Sequence, residues 1–249
     1  MTLITLTPSP TGWNATRTVE LPIPTGKARV TVLAANANLE AASDEGPARL
    51  VVTIVATGRS ESEAQARAMA AGADAGHADA GSVTFTVGPA SGSGDASERS
   101  TAVLFNPPHD ADVTLATTRG SIHWKILRHG GAVRLSCGEG DVAVTRHEGG
   151  PVTARSALGN VTIHSIASTV DASACRGNAV VRTHSNASAA SLRVFSTWGD
   201  ATLDVTRGWA DAGTVVVEDL LATRPAARIG PGAGLAFISA LGGAARLER

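Results

Sequence analysis

Five times between Ala111 and Thr206 the chain repeats one short pattern: an apolar-x-apolar-x-small run, a glycine, a small polar residue, and a second alternating run. The glycines are Gly120, Gly140, Gly159, Gly177 and Gly199, spaced 18 to 22 residues apart. Seven residues before them stand Val113, Val133, Val152, Val170 and Leu192, and five before stand Leu115, Leu135, Ala154, Ala172 and Val194. Three before stand Thr117, Cys137, Ser156, Ala174 and Ser196; one after come Ser121, Asp141, Asn160, Asn178 and Asp200. A fixed period near 20 with two short strands per unit predicts an all-β fold, a single-stranded β-solenoid (β-helix) of stacked coils.

Strand side chains alternate, so the odd offsets before each glycine share one face. That face must form the inner stack, continued after the glycine by Ile122, Trp124 and Ile126, then Val142 and Val144, Val161 and Ile163, Ala179 and Val181, and Ala201, Leu203 and Val205. Arg134, Thr153, Asp171 and Arg193 fall on the opposite face of one strand, and Lys125, Thr145, His164, Arg182 and Asp204 on that of the other. Glycine supplies the positive φ of a tight corner. The Asp or Asn beside it can bond the turn backbone, and stacked equivalents can form a ladder from coil to coil.

The whole chain, 1–249, reads as one domain. Residues 1–108 read as irregular N-terminal coils, since Val30, Val32 and Ala34 lead to Ala37 in the glycine slot, then Asn38 and Leu39. Strand signals cover 18–23, 28–34, 49–56, 82–87 and 101–105. An insertion at 60–80 breaks them: Ser60 followed by Glu63 is a capping-box signal for a short helix or loop. Residues 88–99, with Gly92-Ser93-Gly94, read as a mobile loop. Regular repeats fill 109–206. Residues 207–249 read as a C-terminal capping segment with strand candidates at 214–217 and 235–238, covering the open edge a solenoid otherwise leaves.

The recurring phrase Val-x-Leu-x-Thr-x-x-Gly-Asp-Ile/Val-x-Val stands here as Val113 to Trp124, Val133 to Val144, Val152 to Ile163 and Val170 to Val181. On these residues the chain resembles the bacterial DUF4097-type putative-adhesin repeat family, over about Ala28 to Val205. The resemblance implies a β-solenoid and an adhesin-like role, and it supplies no catalytic residues.

Composition narrows the function. With 17% charged and 43% hydrophobic residues and 27 glycines, the chain has enough apolar material for a core packed around many turns. A net charge of −1 gives no basic surface for nucleic acid. Residues 1–24 show no secretory signal and no run of 18 apolar residues occurs, so the expectation is a cytoplasmic protein without a membrane span. The two cysteines, Cys137 and Cys175, have opposite parity in the repeat, so one faces in and one out and no disulfide is expected.

Candidate chemistry is thin. Six of seven histidines follow residue 108: His109, His123, His129, His147, His164 and His184. His147 and His184 fall in one outward column two coils apart, roughly 10 Å at strand spacing, too far for one zinc with bonds of about 2 Å. His164 lies in the neighbouring column between them, and a solvated face explains all three better than a metal site. Glycoside hydrolysis needs two acids about 5 to 10 Å apart. Instead Asp171 falls beside Arg193 and Asp204 beside Arg182, which is ordinary cross-strand pairing. Cys175 near Arg176 has no base beside it. Phe195 and Trp198 are the plausible exposed aromatic pair. No catalytic residue, cofactor site or metal site is assigned.

The leading expectation is a non-catalytic scaffold or interaction protein, adhesin-like, meeting an unidentified protein partner or a second copy through its polar face or terminal coil. A carbohydrate-active β-helix enzyme and a self-assembling filament scaffold are the alternatives.

Overall fold

The computed structural model describes residues 3–89, 98–165, 169–183, 191–205, 213–219, 228–229 and 234–248. The N-terminal part contains β1 (Leu3–Ser9), β2 (Gly12–Pro22), β3 (Arg29–Ala42), β4 (Arg49–Gly58), α1 (Glu61–Ala70), β5 (Ala71–Ala78), β6 (Ser82–Pro89) and β7 (Glu98–Phe105). The repeats contribute β8 (Asp112–Arg119), β9 (Ile122–Trp124), β10 (Arg128–His129), β11 (Val133–Glu139), β12 (Val142–Gly149), β13 (Val152–Leu158) and β14 (Val161–Ser165). They continue with β15 (Thr169–Arg176), β16 (Ala179–Thr183), β17 (Ser191–Trp198) and β18 (Ala201–Val205). The last strands are β19 (Gly213–Asp219), β20 (Arg228–Ile229), β21 (Gly234–Ala240) and β22 (Ala245–Glu248).

The strands stack into two parallel ladders. One runs β6-β3-β8-β11-β13-β15-β17-β21-β19. The other runs β7-β3-β9-β12-β14-β16-β18-β22. The 14-residue β3 belongs to both, its first half pairing in one ladder and its second half in the other. The result is an all-β, largely parallel, solenoid-like stack. The register sets Val113, Val133, Val152, Val170 and Leu192 side by side, as the repeat predicts.

One apolar cluster fills the space between the ladders. Val133, Leu135, Val142, Val144, Val152, Val161 and Ile163 are all buried to 1% exposure or less, which bears out the inner stack read from the alternation. Arg134 and Thr145 are exposed, whereas Thr153 and His164 are half-buried because flanking strands shade short or flat side chains.

The corner explains the period. Gly159 has φ 151°, and a Cβ there would press on the Gly140 carbonyl oxygen. Gly177 and Gly199 meet the carbonyls of Gly159 and Gly177 in the same way, so each corner's backbone rests on the one before. Beside this glycine column runs the expected polar ladder. The Oδ1 atoms of Asn38, Asp141, Asn160, Asn178 and Asp200 accept from the backbone N–H groups of Ser121, Asn160, Asn178, Asp200 and Ala244 at 2.7 to 2.9 Å. The Ser121 hydroxyl fills the remaining rung, accepting from the Asp141 N–H at 3.4 Å.

A second ladder lies on the inner side. Cys137, Ser156 and Ser196 donate to the carbonyls of Gly120, Gly140 and Gly177 at 2.8 Å, and Thr117 to that of Ala37 at 3.0 Å. Position 174 carries alanine, so this rung has no hydroxyl.

Only part of the N-terminal half forms coils. Residues 29–42 do, with β6 and β7 stacked in parallel on their two halves, but β1, β2 and β4 extend the second ladder antiparallel, through β1-β2, β2-β4 and β4-β7. The two-residue turn between β1 and β2 favours the antiparallel pairing of that hairpin. Ala64 and Ala68 of α1 pack on Ala15 and Ala56 of that extension. The Ser60 hydroxyl accepts from the Glu63 N–H at 3.2 Å, and the Glu63 carboxylate accepts from the Arg59 N–H at 2.8 Å. Arg17 donates to the Ala68, Met69 and Ala71 carbonyls at the other end, where the helix dipole favours a cation.

The 60–80 insertion departs from expectation after the helix: residues 71–78 are strand β5, antiparallel to β6. Ala and Gly give this segment no alternation to read, but the free edge of β6 pairs its backbone. Of the loop expected over 88–99, residues 88–89 and 98–99 are strand ends and 90–97 lie outside the described residues. At the other end, both strand candidates form, but out of chain order. β21 inserts between β17 and β19, and β20 pairs antiparallel with β19.

Gly159→Val should cost well over about 1 kcal/mol, since it adds both backbone strain and a clash with Gly140. A melting curve matching wild type would disprove the corner's strain. Ala174→Ser should raise stability by about 0.5 to 1 kcal/mol by supplying the absent hydroxyl donor to Gly159. Unchanged melting would show that this rung needs no donor.

Candidate interaction surface

Three strands of the first ladder, β8, β13 and β15, end with two successive residues facing out: Thr118-Arg119, Ala157-Leu158 and Cys175-Arg176. This break in alternation bends the strand just before the corner glycine, and stacked bends make a shallow groove across the coils. Two stretches of about 410 and about 300 Å³ meet at Ser136. The first is lined by small residues such as Ala35, Gly88, Ala116 and Thr118, the second by Ala157, Ser173 and Cys175, with Phe195 at its end. One residue beyond the lining residues Ala157 and Thr197, Leu158 is 44% and Trp198 61% exposed. Of the expected aromatic pair, Trp198 is therefore open and Phe195 half-buried.

The outward charges pair between neighbouring coils. Arg119 meets Glu139 at 3.2 Å, Arg134 meets Asp112 at 3.2 Å, and Arg182 meets Asp204 at 3.6 Å, the last as the sequence predicts. Asp171 stands opposite Arg193 in register, yet its ion pair is with Arg155 of the preceding coil at 3.4 Å. A long arginine reaches the diagonal neighbour as readily as the direct one. The Ala132 backbone N–H, with Arg134, holds the Asp112 carboxyl below the usual range. Among the described residues, no group of three or more His, Cys, Asp or Glu is placed to hold a metal. No helix among them is long and apolar enough to cross a membrane.

Cys137 is buried and Cys175 exposed, the parity expected. Burial pushes the Cys137 thiol up, and its S–H serves the inner ladder.

The histidines are placed differently from expectation. His109 is exposed and bonded to Asp110 at 2.7 Å. His123 meets the Thr145 hydroxyl at 2.8 Å on the second ladder's outer face. His184 lies outside the described residues. His147 does not stand in an outward column: it is fully buried. The register of β12 shifts between Val144 and His147, leaving both Thr145 and Arg146 exposed and turning the next side chain inward. That removes the three-histidine surface arrangement.

Inside, His147 joins His129, which is 1% exposed, around the buried indole of Trp124. The indole centroid lies 5.3 Å from the His129 ring and 6.0 Å from the His147 ring, both edge-on. His129 Nε2 bonds the Ala111 carbonyl at 2.8 Å, His147 Nε2 bonds the Gly150 carbonyl at 3.0 Å, and Trp124 Nε1 donates to the Ile126 carbonyl at 3.0 Å. A carbonyl only accepts, so both imidazoles carry their proton on Nε2. Burial pushes both below the ordinary histidine value, against carbonyl contacts that act to raise them. The consecutive polar pair Thr145-Arg146 was the sequence signal for the inward turn.

No protein-family model matches this chain, and no curated protein does. Solved structures similar to it include a putative adhesin from Bacteroides fragilis, at 8% identity and TM-score 0.45, with 94% of this chain and 96% of that one covered. A putative cell adhesion protein from Clostridium sporogenes is similar at 10% identity and TM-score 0.34, with 94% and 99% covered. A putative lipid binding protein from Parabacteroides distasonis is similar at 11% identity and TM-score 0.31, with 94% and 96% covered. Likeness of this degree leaves the functional reading to the chain's own residues.

Proposed function

We propose that this chain is a non-catalytic, adhesin-like interaction protein of the DUF4097 type, a solenoid wound by one chain over 1–249 with coils of about 20 residues. The observation that carries this reading is the outer face of the first ladder. Its acids Asp112, Glu139 and Asp171 are paired with arginines of adjacent coils, and a groove of small side chains crosses it close to the exposed Trp198. Ion pairs of this kind neutralise groups that acid–base chemistry would need free. A rigid face with a shallow groove and an exposed tryptophan nearby offers contact area instead.

The test is an array of glycans and extracellular proteins probed with the purified chain, alongside a turnover screen on polysaccharides. Binding should fall at least about tenfold in Ala157→Arg and Ser173→Arg, which fill the groove from its exposed side, with melting unchanged. Polysaccharide turnover abolished by Asp171→Asn or Asp204→Asn would overturn the reading in favour of an enzyme.

A further inference from the structure

The coil corner opposite the glycine column carries a buried pair of ionisable rings that neither the inner stack nor the outer faces require. Between the end of one ladder's strand and the start of the other's, three levels of chain lie one over another: residues 106–111, 126–132 and 147–151. They are joined by a few backbone bonds. Gly130 N–H donates to the His109 carbonyl at 2.8 Å, Glu148 N–H to that of Leu127 at 2.6 Å, and Gly150 N–H to that of His129 at 2.8 Å. The two-residue β10 is the only strand pairing here among the described residues, at Arg128↔Glu148 and His129↔Gly149. His129 reaches from the middle level to the Ala111 carbonyl of the first, while His147 closes the third level on Gly150. Trp124 lies against both rings.

We propose that the His129–Trp124–His147 cluster is an acid-operated latch, which holds these three levels closed while both imidazoles are neutral and releases them locally when they are protonated. The geometry sets the direction. Each ring is buried beside an indole, and a second charge would be placed next to the first, so the closed form resists protonation while the water-exposed open form does not. The groups facing the rings do not compensate. From the 106–111 level come His109, whose charge opposes another, and Asp110, which is exposed and bonded to His109. From β12 comes Glu148, already held by Arg128 at 3.4 Å and Arg146 at 3.1 Å.

The sign follows. Both rings have their closed-state value lowered, so well above about pH 6.5 neither state binds a proton and the latch is unaffected. As pH falls below the open-state value, the open form gains protons first, and opening rises by up to about tenfold per pH unit for each ring. The increase stops once pH passes the closed-state values. Because few hydrogen bonds join the three levels, opening there costs less than unzipping either ladder.

The experiment is hydrogen exchange of the full chain from pH 7.5 to 5, corrected for intrinsic exchange, with the ring protons of the histidines followed by NMR. Opening of the amides at Gly130, Glu148 and Gly150 should rise at least about tenfold between pH 7 and 5.5. Val161 and Ala179, whose N–H groups bond Asn178 and Asp200, should keep their protection. His129 and His147 should titrate below 6.5. His129→Gln with His147→Gln, which keeps a donor at each carbonyl, should flatten the pH dependence. Where that pair does not fold, the wild-type ring titration decides alone. Rings titrating at or above 6.5, or protection at 130–150 that stays constant down to pH 5 or is lost only together with Val161 and Ala179, would overturn the latch.

Discussion

Because the corner glycines stand one above another without a Cβ, each coil can press its backbone against the carbonyl of the coil before it, and every other feature inherits its position from that contact. A side chain at any of these points would force two coils apart by more than the ladders tolerate. Two columns of hydrogen bonds flank the glycines, carboxamide and carboxylate oxygens outside and hydroxyls or a thiol inside. Each such bond contributes about 0.5 to 1.5 kcal/mol. Their larger effect is on register, since a slip of one residue would turn the whole inner stack to water. Valine, leucine and isoleucine then need only fill the space, because the corner already says which face is inside.

The same locked register orders the outer surface. Residues equivalent in the repeat fall into columns, so an acid and a base about one period apart are brought together whether or not the partner is directly opposite. Exposed pairs of this kind contribute only about 0.2 to 1 kcal/mol each. Their consequence lies in chemistry more than stability: they leave a flat, neutralised face on which the bend before each glycine cuts a groove. On the interaction reading proposed above, such a surface would recognise by shape, with the exposed Trp198 close by.

How much of this was legible follows from which features repeat. The inner stack, the corner glycines, the polar ladder and the Arg182–Asp204 pair all follow from a period near 20 and an alternation of two. What failed did so where the chain leaves that template. Apart from Asp74 and His77, β5 has only alanine and glycine to show, so edge pairing and not side-chain pattern makes it a strand. β4 and the end of β2 read as strands and β1 gave no such signal, and sequence alone does not distinguish antiparallel extension from another coil. β21 inserts inside β19 because pairing partners depend on space and not on chain order. Asp171 chose Arg155 over Arg193 because a long side chain spans a diagonal that a column map ignores. Of the groove, the small residues were visible, but the double outward step that makes it concave was not.

His147 is the sharpest departure, and it shows why the third side of the coil differs from the other two. Between neighbouring strands of the ladders the backbone carbonyls pair with one another's N–H groups, so an apolar side chain is sufficient inside. Across 106–111, 126–132 and 147–151 there is little strand pairing, and buried carbonyls at Ala111, Ile126 and Gly150 need donors from side chains. A leucine would fill the same volume and leave those acceptors unsatisfied, at about 1 to 3 kcal/mol each. Imidazole and indole are the flat, mostly apolar groups that carry an N–H far enough to cross from one level to the next. The requirement that puts a donor inside the core thus also puts a titratable group there, and that is why this side, unlike the ladders, answers to acid.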